Sequence, residues 1–150
     1  VSVLVHGSCV ALRGQGVLLL GESGSGKSDL TLRLIHEGWA LVADDRTVLA
    51  RKKNILVASA PSTIQGLMEV RGVGIVTLTA KPARLKLVVQ LGGEGPRLPK
   101  PERWVPRGIK GAPFLPLIRL DGRHSSDPAK VTLALRAISR DLFRDTFVTK

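Results

Sequence analysis

Little in this chain crosslinks, stacks or carries negative charge. It has one cysteine, Cys9, so no internal disulfide and no cysteine metal cluster can form. The apolar setting of that thiol, Cys9-Val10-Ala11-Leu12, predicts a core side chain. Tyrosine is absent, and three Phe with two Trp are too few for the aromatic and basic platform that holds single-stranded nucleic acid. No apolar run reaches the length of a membrane span. The first residues also lack the charged start and cleavage site of a secretory signal, so the expectation is a cytoplasmic protein with neither nucleic-acid nor membrane partners. Acids are scarce: 12 Asp and Glu stand against 23 Lys and Arg, for a net charge of +11. Between Lys81 and Arg123 there are ten Lys and Arg and three acids, Glu94, Glu102 and Asp121. That stretch reads equally well as a solvated basic face and as a surface for an acidic or phosphorylated partner. The length suits one domain over residues 1–150, with a core of its own.

What is present begins with LLLGESGSGKSDL at residues 18–30. The spacing Gly21-x-x-x-x-Gly26-Lys27-Ser28 fits a phosphate-binding loop, Gly21, Glu22, Ser23, Gly24, Ser25, Gly26, Lys27 and Ser28. Glycines there let successive backbone amides converge on an anion, and the following helix aims its positive end at the same point. Lys27 would neutralise the outer phosphates, and Ser28 would offer a hydroxyl to Mg²⁺. Val17 to Leu20 supplies the required strand, and the spacing of Leu30, Leu34 and Ile35 predicts a helix over 27–37 ending at Gly38. Strands are expected at 3–5, 9–12, 39–43, 54–60, 74–78 and 85–91. Segment 62–69 is helical or loop. Six of the nine prolines lie between Pro96 and Pro116, which predicts a long and mostly irregular excursion. A final amphipathic helix is expected from Pro128 to about Phe143, with Arg136, Arg140 and Arg144 outward.

A phosphate loop specifies a nucleotide without specifying an activity. Asp44 and Asp45 follow Lys27 closely, at the carboxyl end of the next strand, where ligands of α/β folds bind. One of the pair could organise Mg²⁺ and the other could accept a proton. In LMEVRGVGIV, residues 67–76, Glu69 and Arg71 precede two glycines; alone, this reads as a loop bearing one carboxylate and one cation, or as a structural salt bridge.

His6-Gly7, GESGSGKS, GWALVADD at 38–45 and MEVRGVGI at 68–75 together resemble the catalytic domain of the HPr kinase/phosphorylase family. The resemblance covers residues 1–98 closely and the remainder more loosely. It implies an α/β fold similar to the phosphoenolpyruvate-carboxykinase-like phosphate-loop fold. The implied activity is ATP- and Mg²⁺-dependent phosphorylation of a serine on an HPr-type phosphocarrier, with reverse attack of inorganic phosphate on the phosphoserine to give pyrophosphate. By the same resemblance His6, Lys27, Asp45, Arg71 and Arg97 are active-site residues, Asp45 serving as base in one direction and acid in the other. Ser28 and Glu69 are implied magnesium ligands, and Asp44 is a further candidate from its position. The resemblance also implies a hexamer and a short form without the N-terminal domain of longer members. The family's loop tied to dephosphorylation is not recognisable; APFLPLIRLDGRHSSDPAK stands near its place. Two other readings remain open from the residues: a nucleotide-sensing module without phosphoryl transfer, and a small-molecule kinase.

Overall fold

The apolar runs and alternations resolve into strands and two α-helices in the computed structural model, which describes residues 1–144. One sheet runs in the order β1 (Ser2–His6), β5 (Arg46–Lys52), β6 (Ile55–Ser59), β9 (Ala83–Leu91), β3 (Gln15–Leu20), β2 (Ser8–Leu12), β4 (Ala40–Ala43). The long β9 also carries β11 (Leu115–Leu120), which in turn pairs with β10 (Glu102–Trp104). A separate two-stranded sheet is made by β7 (Leu67–Val70) and β8 (Gly74–Thr77). Strands β3, β9 and β11 are parallel, and β4 runs antiparallel to β2 as β3 does. The carboxyl ends of β3, β4, β9 and β11 therefore emerge along one edge of the sheet. In α/β folds that edge is where ligands sit.

Val17, Leu18 and Leu19 are wholly buried, as a strand covered on both faces requires. On one face, Val17, Leu19, Leu87 and Val89 pack against Leu30 and Leu34 of α1 (Lys27–His36) and Val131 and Leu135 of α2 (Asp127–Ser139). On the other, Cys9, Leu18 and Val88 share a cluster with Leu49 and Leu56, so the β1–β5–β6 arm curls back over the sheet. Cys9 is a core side chain, and burial pushes its thiol up to about 12.

Helix α1 ends where Gly38 predicted. The amide of Trp39 donates to Leu34 and that of Gly38 to Ile35, the double closure of a left-handed cap, with Gly38 at φ 103°. Helix α2 stops earlier than its apolar pattern suggested, because the same closure forms with Asp141 in the left-handed position. Leu142 donates to Ala137 and Asp141 to Ile138. Arg136, Arg140 and Arg144 are exposed. Leu133 and Leu142, apolar residues of the same 128–143 segment, are exposed.

Strand β5 was not foreseen: its charged ends, Arg46 and Arg51-Lys52, mask an alternation in which only Thr47 and Leu49 are buried. Segment 62–69 divides into a single 3₁₀ turn, Ser62–Ile64, and β7. The proline-rich excursion contains β10 and the start of β11. Pro116 lies opposite Arg103 of β10 and ahead of the pairing with β9, which begins at Leu117, so its missing amide costs no bond to β9.

Candidate functional site

The loop between β3 and α1 is built to present backbone. Gly24 and Gly26 hold φ of 83° and 99°, in the region that favours glycine. A Cβ on Gly26 would lie 3.1 Å from the carbonyl oxygen of Gly122, and one on Gly122 would lie 2.6 Å from that of Ser25. Glycine at both places lets the loop rest on the turn that follows β11. Lys27 Nζ donates to the Gly21 carbonyl, which folds the ammonium over the loop. The first turn of α1 adds amides that have no partner within the helix. Convergent amides, a lysine and a helix amino terminus fit a bound phosphate chain.

The opposite wall comes from three other elements. His6 ends β1, Asp45 follows β4, and Glu69, Val70 and Arg71 lie on β7 and just past it. With Lys27, Ser28, Asp29 and Arg123 they surround a cleft of about 880 Å³. Asp45 takes φ 65°, a strained setting for a residue with a side chain. The strain is held by two bonds: its amide donates to Ser8 Oγ at 2.9 Å, and its carbonyl accepts from the Gly7 amide at 2.9 Å. Thr47, wholly buried, donates to the Gly7 carbonyl at 2.8 Å, so the β1–β2 bend and the β4–β5 bend are sewn together. Ser28, Asp45 and Glu69 offer hard oxygen donors to one space. Mg²⁺ takes one or two carboxylates beside phosphate oxygens and water, so this donor set fits it.

The structure thus brings His6, Lys27, Ser28, Asp45, Glu69 and Arg71 to one cleft, as the sequence suggested. Two candidates stand elsewhere. Asp44 does not line the cleft. It is half-buried, and its two carboxylate oxygens face the Glu69 amide at 3.1 Å and Ser8 Oγ at 3.5 Å, the outer limit of a hydrogen bond. Burial, more than the neighbouring charge of Asp45, pushes its carboxyl above the usual range. Arg97 lines a second hollow of about 820 Å³, with Leu98, Lys100, Leu117 and Leu133.

Arg123 was not foreseen. Its guanidinium donates to the Gly24 carbonyl and lines the cleft. Its turn is fixed from both helices. Wholly buried Asp127 accepts the amides of Gly122 and His124 at 2.8 and 2.9 Å. Arg33 donates to the carbonyls of the same two residues at 2.6 and 2.9 Å, and pairs with Asp29 at 2.9 Å. The available signal was the apolar run ending in Leu120-Asp121-Gly122-Arg123, a strand followed by a glycine turn.

Comparison with known proteins fits this geometry. The family model described as HPr serine kinase C-terminal domain matches residues 1–83. An HPr kinase/phosphorylase of Prosthecochloris aestuarii is 45% identical over 91 residues, 57% of this chain and 27% of the relative. One of Cupriavidus metallidurans is 42% identical over 110 residues, 65% of this chain and 34% of the relative. The chain therefore spans about a third or less of the length of these relatives. The solved HPr(Ser) kinase/phosphatase of Coxiella burnetii superposes with a TM-score of 0.75 at 24% identity, covering 93% of this chain and 97% of that one, a likeness of fold.

Proposed function

Because the chain belongs to the HPr serine kinase C-terminal domain family, we propose that it is a cytoplasmic kinase that transfers the γ-phosphoryl group of ATP to a serine of an HPr-type phosphocarrier. The observation that carries this reading is the facing of two walls across one cleft: a phosphate cradle with Lys27, and a carboxylate wall with Asp45 and Glu69. The amides of the loop and Lys27 bind the phosphates and stabilise charge that spreads over them as the bond to the leaving group breaks. Asp45 takes the proton of the attacking serine hydroxyl. Ser28 and Glu69 would hold Mg²⁺, which when bound neutralises phosphate oxygens. Arg71 and Arg123 add positive charge on either side, and His6 closes the wall beside Asp45.

In the opposite direction inorganic phosphate would enter the cradle and attack the phosphoserine, forming pyrophosphate and releasing the serine oxygen. Asp45, protonated at the start of this direction, gives its proton to that oxygen and regains one from the attacking phosphate. A proton acceptor in the wall favours transfer over nucleotide sensing, since a sensor needs the cradle alone. Assembly as a hexamer belongs to the same reading, with sedimentation as its check. The deciding experiment is incubation with labelled ATP, Mg²⁺ and purified HPr-type carriers. Label on a carrier serine is expected, and so is its release as pyrophosphate when phosphate is added. Nucleotide binding with no label on any carrier would reject the proposal.

A further inference from the structure

The hairpin β7–β8 carries Glu69 and Arg71 yet belongs to a sheet of its own, outside the hydrogen-bonded ladder of the main sheet. Something must hold it at the right distance from the phosphate loop. Buried Met68 supplies one anchor, but an apolar anchor fixes depth better than register. Past β8 a backbone bridge joins Ala80 to Leu41 of β4, and within β7 the directional contact is Asp44. Its carboxylate accepts the Glu69 amide at 3.1 Å, and the Ser8 hydroxyl faces its other oxygen at 3.5 Å. Ser8 Oγ accepts the Asp45 amide at 2.9 Å. The hydroxyl has one proton to give, and that order of bonds uses it: Asp45 amide to Ser8, Ser8 to Asp44, Glu69 amide to Asp44. One carboxylate outside the cleft thus ties the backbones of the two acids inside it.

The geometry assigns to Asp44 the role of a positioning residue that sets the separation between Asp45 and Glu69 by clamping the hairpin to the β4–β5 bend, which Ser8 joins to the start of β2. A carboxylate at a half-buried site is unfavourable unless its acceptors are used, and here each oxygen faces a donor. The assignment rests on the proposed kinase reading only for what the positioned groups do; the clamp itself is a property of the free protein.

The test measures amide exchange and kinetics on the whole chain for Asp44→Ala and Asp44→Asn. Asp44→Ala removes the acceptor. Exchange across residues 67–77, the Glu69 amide included, is expected to rise by about tenfold or more, with the strands of the main sheet unchanged. In carrier phosphorylation kcat should fall by about tenfold or more and the Mg²⁺ requirement should rise, while KM for ATP moves by less than about threefold. Asp44→Asn keeps a carbonyl that can accept the Glu69 amide, so hairpin protection and most of kcat should return. Should Asp44→Ala not fold, Asp44→Ser, polar but too short for the amide, gives the same comparison. Unchanged hairpin exchange in the truncated variant would overturn the clamp. A protected hairpin in Asp44→Asn with activity as low as in Asp44→Ala would also overturn it, because the charge itself would then be needed. A wild-type protein inactive on every carrier, but with a hairpin loosened by Asp44→Ala, would reject the kinase reading and retain the clamp.

Discussion

Two hollows of nearly equal size, about 880 and 820 Å³, differ in what lines them. The first gathers the phosphate loop, three cations and four carboxylates from separate elements, including a residue held at positive φ. The second sets Leu98, Leu117 and the outer face of α2 beside more cations, Arg97, Lys100, Arg119, Lys130 and Arg144, but its two acids, Glu94 and Glu102, are already paired with Lys130 and Arg119, and it has no phosphate loop. Volume does not distinguish a reaction site; convergence of groups that bind and move charge does. Strain is spent in the first hollow, at Asp45, where a carboxylate must be aimed.

The sharpest way to break the comparison is to remove chemistry from the first hollow without touching its shape. Lys27→Ala is expected to lower phosphoryl transfer by about 10³-fold or more, since on the proposed reading the lysine acts on charge that develops during transfer. Thermal unfolding should stay close to the parent. A folded variant with near-normal carrier labelling would remove the loop from the reaction.

Asp45→Asn comes next. It keeps size and cannot accept the serine proton, so the forward rate should fall by about 10²-fold or more, and the phosphorolysis rate with it, while ATP affinity persists. Loss of one direction alone would separate the two chemistries. Loss of nucleotide affinity alone would make this aspartate a metal ligand.

Gly7→Ala tests the frame of the site. A Cβ there would meet the Leu19 carbonyl at 2.8 Å and Leu20 Cδ2 at 2.9 Å, in the bend that carries His6 and Ser8. Overpacking against backbone should cost about 1–3 kcal/mol, read as a lower urea midpoint at constant slope. An unchanged midpoint would mean that the bend yields freely.

How far the sequence disclosed this arrangement follows from whether each signal was local. The phosphate loop, α1 and its Gly38 cap, and the strand before the loop were legible because glycine spacing and helical periodicity act within a few residues. Asp45 and Glu69 were legible by residue type and motif. The opposite fate of Asp44 was not, since adjacent residues of one turn face different ways only once Ser8 and the hairpin are in place. Arg123 is 99 residues from the Gly24 carbonyl that it meets, and no local pattern announces such a contact. Strand β5 hid behind its charged ends, and β11 behind its proline. In both, tertiary pairing overrode a weak local preference.

The smallest effect sharpens the comparison from the side of the second hollow. Arg97 and Lys100 are exposed there beside apolar side chains, with Leu98 87% exposed. If the carrier is acidic, such a border draws it in without touching the phosphates. Arg97→Glu with Lys100→Glu should raise the carrier KM by about three- to tenfold, more strongly at low salt, because rim charges act chiefly on encounter. Nucleotide affinity and kcat at saturating carrier should remain. A fall in kcat with carrier KM unchanged would instead give Arg97 the direct active-site role that the family resemblance implies. Within one chain it lines a hollow other than the cleft, so that outcome would require a change of shape or a neighbouring copy to bring it to the reaction.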